Sequence, residues 1–396
     1  MHLSPESLTE SSVGTGASTD AEWSLLRAAC SASAKTRDDD IRKLLQAPIR
    51  WNVVLDLADR HGVEPLLCET LARTQELVPQ EILRSLAQTQ QANLHKSLFL
   101  SRELIRVVDR LSDAGVHVLP YKGLALAEMI YGDIAMRRTG DIDLLIHARD
   151  FPAIREAVRD LGYTPHATFS EVHMKEYMET GYECAFDGPA GRNLLEVQWA
   201  LQPRFYAVDF DVDGLFERAQ KVEVAGHPMM TLSAEDMFVV LSLHAAKHVW
   251  GRMSWLCDLE RVINLPNLNW TWIGAQAREL GIERILRISV LLVNRLFDSA
   301  IPAAAEHVLI EDRQARKIAD EILASMTKET AYDVESISYF RLMMRLRERR
   351  RDRLRFLSRL ISTPGPGEWQ SVLLPRPLFF GYRLIRLFRL AARVAR

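Results

Sequence analysis

The segment Asp141-Ile142-Asp143-Leu144-Leu145-Ile146 leaves the chain the fewest choices. Its short, largely apolar run reads as a buried strand. Alternate side chains of a strand share a face, so Asp141 and Asp143 present two carboxylates on one side while Ile142 and Leu144 point into the core. Two carboxylates held that close repel one another unless a cation sits between them. Taken alone, the D-x-D pattern also fits a strand-entry turn with solvated acids, so its surroundings must decide.

Those surroundings are built in stages. From Ala21 to about Ala114 apolar residues recur three and four apart, as in Trp51-Val54-Leu55-Leu57-Ala58, which predicts a helical N-terminal domain over 21–114. At Gly115 the pattern changes. Val116 to Leu119 reads as a strand, Lys122-Gly123 as a turn, Leu124 to Tyr131 and Phe151 to Leu161 as helices. Tyr182 to Phe186 and Asn193 to Leu201 read as two strands joined through Asp187-Gly188-Pro189-Ala190-Gly191. The fold class is therefore α+β, with a sheet core over 115–228. Ser233-Ala234-Glu235-Asp236 opens a helix by N-capping, and helical pattern runs through Leu265 and again from Trp270 to Phe297, giving a helical domain over 229–310. The region 311–396 is helical and Arg-rich, interrupted at Thr363-Pro364-Gly365-Pro366-Gly367. No internal repeat occurs, which excludes solenoids and propellers.

With 48% hydrophobic and 26% charged residues over 396 positions, the chain is neither disordered, collagenous nor a disulfide scaffold. Its net charge of -2 gives no overall attraction to nucleic acid, so no double-stranded DNA partner is expected. The charge is unevenly placed. From Arg341 to Arg396 there are fifteen arginines and three acids (Glu348, Asp352, Glu368), a net +12; the remainder, with 35 basic and 49 acidic residues, carries -14. Cys30, Cys68, Cys184 and Cys257 form no C-x-x-C pair and are expected to be reduced, in a cytoplasmic protein. Residues 1–20, rich in Ser and Thr and lacking an apolar leader, are expected to form a disordered arm.

Around the D-x-D strand the sequence gathers further polar groups. Gly123, eighteen residues before Asp141, allows a close backbone approach at a helix N-terminus, a place suited to phosphate. Glu196 lies on the apolar-flanked strand Leu194-Leu195-Glu196-Val197-Gln198-Trp199, where a carboxylate needs a partner or a metal. Three acids on adjacent strands beside a glycine turn make a two-metal phosphoryl-transfer site.

These residues resemble a known pattern. Leu119-Pro120-Tyr121-Lys122-Gly123-Leu124-Ala125-Leu126, Tyr131, Arg137, Asp141 to Ile146, Leu195 to Trp199, His244-Ala245-Ala246-Lys247-His248 and Trp255 to Leu259 are similar to the signature of an uncharacterised bacterial nucleotidyltransferase family of the polymerase-beta superfamily. The Lys-Gly turn and downstream lysine are also similar to transferase toxins of abortive-infection systems. The resemblance runs from about Trp51 to Arg386. It implies a nucleotidyltransferase-type mixed sheet flanked by helices, a nucleoside triphosphate substrate, and two Mg²⁺ ions, with Mn²⁺ as an alternative. It further implies transfer of a nucleoside monophosphate to an acceptor, by in-line attack at the α-phosphorus with release of pyrophosphate. Asp141, Asp143 and Glu196 are then the metal-binding and catalytic residues, and Lys122, Gly123 and Arg137 hold the triphosphate, with Arg138 competing for the place of Arg137.

Two departures stand out. Glu196-Val197-Gln198-Trp199 replaces the Asp-x-His-Trp expected on the third strand, and Lys122-Gly123 replaces the glycine-serine turn of the wider superfamily. Lys247 and Asp258 are eleven residues apart, so they share a face if the helix continues past Gly251. Both are candidates for nucleotide binding, and a purely structural Lys–Asp pair is the competing reading. His244 and His248 lack the Glu of H-E-x-x-H, since Ala245 stands there, so they are assigned to packing beneath the cleft. Trp250, Trp255, Trp270 and Trp272 are likewise assigned to packing.

In the last segment Arg383, Arg386, Arg389, Arg393 and Arg396 fall in one arc, opposite Leu384, Ile385, Leu387, Phe388 and Val394. Such a helix either makes a weak membrane-surface contact or packs its apolar face on the body, and packing is the favoured reading here. Besides catalysis, two functions remain open: a catalytically silent nucleotidyltransferase fold serving as a binding module, and a membrane-surface adaptor. Convergence of Asp141, Asp143 and Glu196 beside Gly123 favours catalysis over the silent module.

Overall fold

The computed structural model describes residues 20–394 except 33, 167–168, 307–311, 327–335, 365–367, 370–371 and 373. The expected arm at 1–20 lies, apart from Asp20, outside the described residues, as do Gly365 to Gly367 of the predicted break.

Four helices open the chain: α1 (Asp20–Cys30), α2 (Ala34–Leu44), α3 (Trp51–His61) and α4 (Glu64–Ala72), followed by the long α5 (Gln80–Asp113). The sheet strands are β1 (Leu119–Pro120), β2 (Asp141–Leu145), β3 (Thr164–Pro165), β4 (Glu183–Asp187) and β5 (Leu194–Gln198), in the order β1-β2-β5-β4-β3. Between them lie α6 (Gly123–Tyr131), α7 (Phe151–Asp160) and α8 (Glu171–Thr180). Only β2 and β5 are parallel; the other pairs are antiparallel. After α9 (Val212–Glu217), β6 (Gln220–Val224) and β7 (His227–Thr231) form a separate hairpin through Ala225-Gly226, both at positive φ.

The remaining elements are helical: α10 (Ala234–Lys247), α11 (Met253–Ile263), α12 (Trp270–Leu280), α13 (Glu283–Phe297), α14 (Ala303–Glu306), α15 (Arg313–Met326), α16 (Ile337–Arg345), α17 (Arg350–Ser362) and α18 (Gly381–Val394). The protein is thus mostly helical α+β, with a five-stranded mixed sheet flanked by helices. The strand expected at Val116 to Leu119 is instead Leu119–Pro120, paired with Leu145 and Leu144.

Period-two alternation separates the faces of the sheet. Ile142, Leu144, Leu195, Val197, Cys184 and Phe186 are buried, packed with Leu100, Leu104, Val107 and Leu111 of α5 and with Ile154 and Val158 of α7. The opposite face carries the acids. A second core joins α1–α4 to α10–α16, so the N-terminal helices pack with those that follow the sheet. Glu260, buried in α11, accepts a 2.9 Å hydrogen bond from the Ala32 N–H across this junction.

One expectation fails. The helix of Lys247 does not continue past Gly251: α10 ends at Lys247, Val249 and Trp250 take positive φ, and α11 restarts at Met253. Burial of the Trp250 ring, whose indole N–H donates to Ser289 Oγ at 3.0 Å, accompanies this unfavourable backbone. Lys247 and Asp258 consequently stand on different helices and bond different partners.

The predicted N-cap is present: Ser233 Oγ accepts from the Asp236 N–H at 3.1 Å, while Asp236 also takes two bonds from Arg218. Ser233→Ala is expected to destabilise the fold by about 1 kcal/mol, read as a lowered urea midpoint at unchanged slope.

Candidate active site

The in-register pairing of β2 with β5 sets Asp143 directly beside Glu196, with Asp141 two residues back on the same face. Strand β4 then sets Glu183 opposite Gln198. These five side chains, with Lys122, Arg137, Tyr182 and Lys247, line one cleft of about 1120 Å³. Asp141, Asp143 and Glu196 thus line the same cleft as Gly123.

Gly123 is required where it is. Its φ is +52°, and a Cβ there would lie 3.0 Å from Thr139 Cγ2 and 3.4 Å from the Asp141 carbonyl oxygen. The turn thus presses against the loop that enters β2. That loop is fixed from α5, where Gln90 and Asn93 donate to the Ala135 carbonyl at 3.2 and 2.8 Å.

Burial dominates the electrostatics, and neighbouring like charge adds to it. Burial, then the charges of Asp143, Glu183 and Asp141, push Glu196 up to about 8. Burial also raises Glu183, and burial with the Asp143 charge raises Asp141. Two groups hold the acids together. Lys122 Nζ lies 3.0 Å from Asp143 Oδ1, and although burial opposes its charge, Asp143 holds Lys122 protonated well above its ordinary range. Gln198 Nε2 donates to Asp143 Oδ1 (3.2 Å), Glu183 Oε2 (3.2 Å) and Glu196 Oε2 (3.0 Å), while its Oε1 accepts from the Tyr121 hydroxyl. The residue that departs from the expected histidine is a neutral cross-link of the acid cluster.

The remaining candidates separate. Arg137 Nε pairs with Asp258 Oδ2 at 3.0 Å, and Tyr131 donates to Asp258 Oδ1 at 2.9 Å. Asp258 is 1% exposed and sits behind Arg137, without lining the cleft. Arg138, the competitor of Arg137, is instead held by Asp59 and Glu64 at 2.7 Å each. Among the described residues Lys247 Nζ makes no ion pair with a carboxylate; it donates to Tyr182 OH at 3.3 Å, and burial lowers its pKa. His244 and His248 pack 4.9 Å apart against Trp255, and burial pulls His248 down to about 4. Trp255, assigned to packing, also lines the cleft beside Arg252.

Sequence reasoning missed Glu183 and Tyr182. Alternation within Glu183-Cys184-Ala185-Phe186-Asp187 places Glu183 on a polar face, but only the register against β5 brings it to the acids.

The family described as uncharacterised nucleotidyltransferase matches residues 47–298. The chain belongs to this family. The match takes in the Lys-Gly turn, all the acids of the cleft and Lys247, and it ends near the end of α13, short of the Arg386 limit expected from the sequence. No curated protein and no solved structure gives a significant match. Membership implies, in general terms, a nucleoside triphosphate substrate and a divalent metal.

The donor chemistry fits such a metal: oxygen-only carboxylates, raised first by burial and then by one another's charge, suit a hard cation such as Mg²⁺. Among the described residues no three His, Cys, Asp or Glu side chains form a finished metal site, and Asp143 Oδ1 is engaged by Lys122 and Gln198.

Glu196 keeps its proton to about pH 8 when folded but loses it near 4.5 when unfolded. Between those values the folded chain binds more protons, so the metal-free fold loses stability as pH rises across the window. A divalent cation offsets this loss. The melting temperature should therefore rise more on Mg²⁺ addition at pH 8.5 than at pH 6, and Glu196→Gln should remove most of the difference while stabilising the metal-free protein at pH 8.5.

Proposed function

We propose that the protein is a metal-dependent nucleotidyltransferase that moves a nucleoside monophosphate from a nucleoside triphosphate to an acceptor, with release of pyrophosphate. The observation that carries this reading is the in-register pairing of Asp143 with Glu196 beside the Lys122-Gly123 turn, at the wall of one cleft. Asp141, Asp143 and Glu196 would hold Mg²⁺ or Mn²⁺. The metal would supply charge neutralisation at the α-phosphate and a more acidic acceptor hydroxyl.

The chain's own groups take the other roles. Lys122, once Asp143 is engaged elsewhere, is a cation at the phosphate turn, and the Gly123 N–H opens α6 toward the same anion. Arg137, which lines the same cleft, would offer its guanidinium to the same phosphates. Asp258 and Tyr131 orient Arg137, which makes Asp258 a positioning residue and not a ligand of the nucleotide. Lys247 would supply a third cation to the cleft. Glu196 would hold the metal that activates the acceptor; as a base it would act only in its ionised form, which in the metal-free cleft is reached above about pH 8.

The second reading, a catalytically silent binding module, draws on the engagement of Asp143 by Lys122 and Gln198. Incubation with each α-labelled nucleoside triphosphate and cell extract separates the two. Asp141→Asn should cut transfer at least ~100-fold while melting normally, since even groups behind a metal ligand cost 10–100-fold. Retained transfer in the folded variant overturns the assignment, and nucleotide binding without transfer by the unaltered chain favours the silent module.

Lys247→Ala should weaken triphosphate binding by about tenfold in calorimetric titration, the scale of one charge-assisted hydrogen bond, with and without Mg²⁺. Unchanged affinity returns Lys247 to a structural role against Tyr182.

A further inference from the structure

The basic C-terminal helix is packed, but with the opposite face from the one its sequence favours. At about 100° per residue, Tyr382, Ile385, Arg386 and Arg389 share one side of α18, and this side meets the body. Arg386 is buried: its Nε donates to the Leu360 carbonyl at 3.2 Å, its Nη1 lies 3.5 Å from Glu368, and its guanidinium lies over Phe205 at 5.2 Å. Arg389 pairs with the same Glu368 at 3.1 Å. Tyr382 is buried, its hydroxyl donating to the Val372 carbonyl at 2.8 Å. The side chains of Leu390, Arg393 and Val394, and Arg396, lie outside the described residues.

Anchoring the arginine side turns the apolar side out. Leu384, Leu387 and Phe388 occupy the opposite arc, with Phe388 75% exposed and Leu384 50% exposed. Helix α17, packed against α18, repeats the feature: Leu354 (67% exposed), Leu357 and Ile361 form an outward stripe, while Phe356 and Leu360 face the core. Phe380 and Leu378, which lead into α18, are exposed as well. Among the described residues the most exposed large apolar side chains, Phe388, Leu354 and Phe380, lie on or beside these two adjoining helices.

Charge selects the occupant. Arg350 lies one turn before Leu354 on its stripe, Arg351 is 71% exposed beside it, and Arg383 is exposed at the flank of the α18 stripe. From Gly381 to Arg396 there is no acid. A second copy docked symmetrically on this patch would bring arginine rims together, which like-charge repulsion disfavours. An anionic bilayer surface accepts apolar side chains at the acyl boundary and arginines at the headgroups. Among the described residues no helix is long and apolar enough to cross a membrane, so the contact would lie on the surface. The patch also lies beyond residues 47–298, the part shared with the transferase family.

We propose that the outward faces of α17 and α18 form a docking surface for an anionic lipid bilayer. The test is sedimentation of the full chain with vesicles of phosphatidylcholine alone and of equal parts phosphatidylcholine and phosphatidylglycerol. Binding to the mixed vesicles is expected, reversed by high salt and at least about tenfold weaker on phosphatidylcholine. The double variant Leu384→Ser/Phe388→Ser should weaken binding at least about tenfold, the lower end of what inserting such side chains contributes, with an unchanged melting temperature. Arg383→Glu tests the charged rim with the apolar face intact and should weaken binding about tenfold. No sedimentation with either vesicle, equal sedimentation with both, or undiminished binding by both variants overturns the proposal. So does light scattering that shows a dimer which Leu384→Ser/Phe388→Ser converts to a monomer.

Discussion

The parallel pairing of β2 with β5 is the contact on which the rest of the site depends. It joins strands 53 residues apart in sequence and sets Asp143 beside Glu196, a like-charge neighbour pair that would oppose pairing if both were ionised and unscreened. The buried face of the same strands offsets this cost, since Ile142, Leu144, Leu195 and Val197 pack against α5 and α7. The sheet is held from behind, and repulsion is confined to the front. There it is relieved in three ways: a proton kept on Glu196, the ammonium of Lys122 on Asp143, and the amide of Gln198 shared among three carboxylates. Each is a hydrogen-bearing group in a position where a divalent cation would do the same electrostatic work.

Gln198 stands where the resembled motif has histidine. In the fold, a primary amide at that position does what a neutral imidazole could do only in part, donating to several acids from one end and accepting from Tyr121 at the other. It also carries no charge at any relevant pH, so the cross-link persists while its neighbours titrate.

Local signals were legible in the sequence. The D-x-D strand, the β4–β5 hairpin, the Ser233 cap and the Lys-Gly turn depend on residues within a few positions of one another. Tertiary effects were not. The break after Lys247 places Val249 and Trp250 in a conformation that neither side chain prefers, and the burial that accompanies it comes from Ser289 and the surrounding core. The β6–β7 hairpin escaped because Pro228 weakens a strand pattern, though a two-stranded ribbon tolerates it. Helical periodicity likewise located both faces of α18 but not which one is packed. That choice rests on Glu368, thirteen residues before the helix begins, which draws Arg386 and Arg389 inward.

The region beyond the family match is nonetheless built into the site. The last carbonyls of a helix lack intrahelical donors, and at the end of α10 the Lys247 carbonyl accepts from the Tyr339 hydroxyl of α16 at 3.0 Å. Tyr339 also bonds the Tyr206 hydroxyl, and Arg347 donates to the Tyr206 carbonyl. Phe205, the preceding residue, is the ring beneath Arg386. A short series of contacts therefore runs from α18 to the backbone of Lys247, through groups that are nearly all buried. The carbonyl of Lys247, the last residue of its helix, is thus bonded by a hydroxyl supplied from ninety-two residues further along the chain.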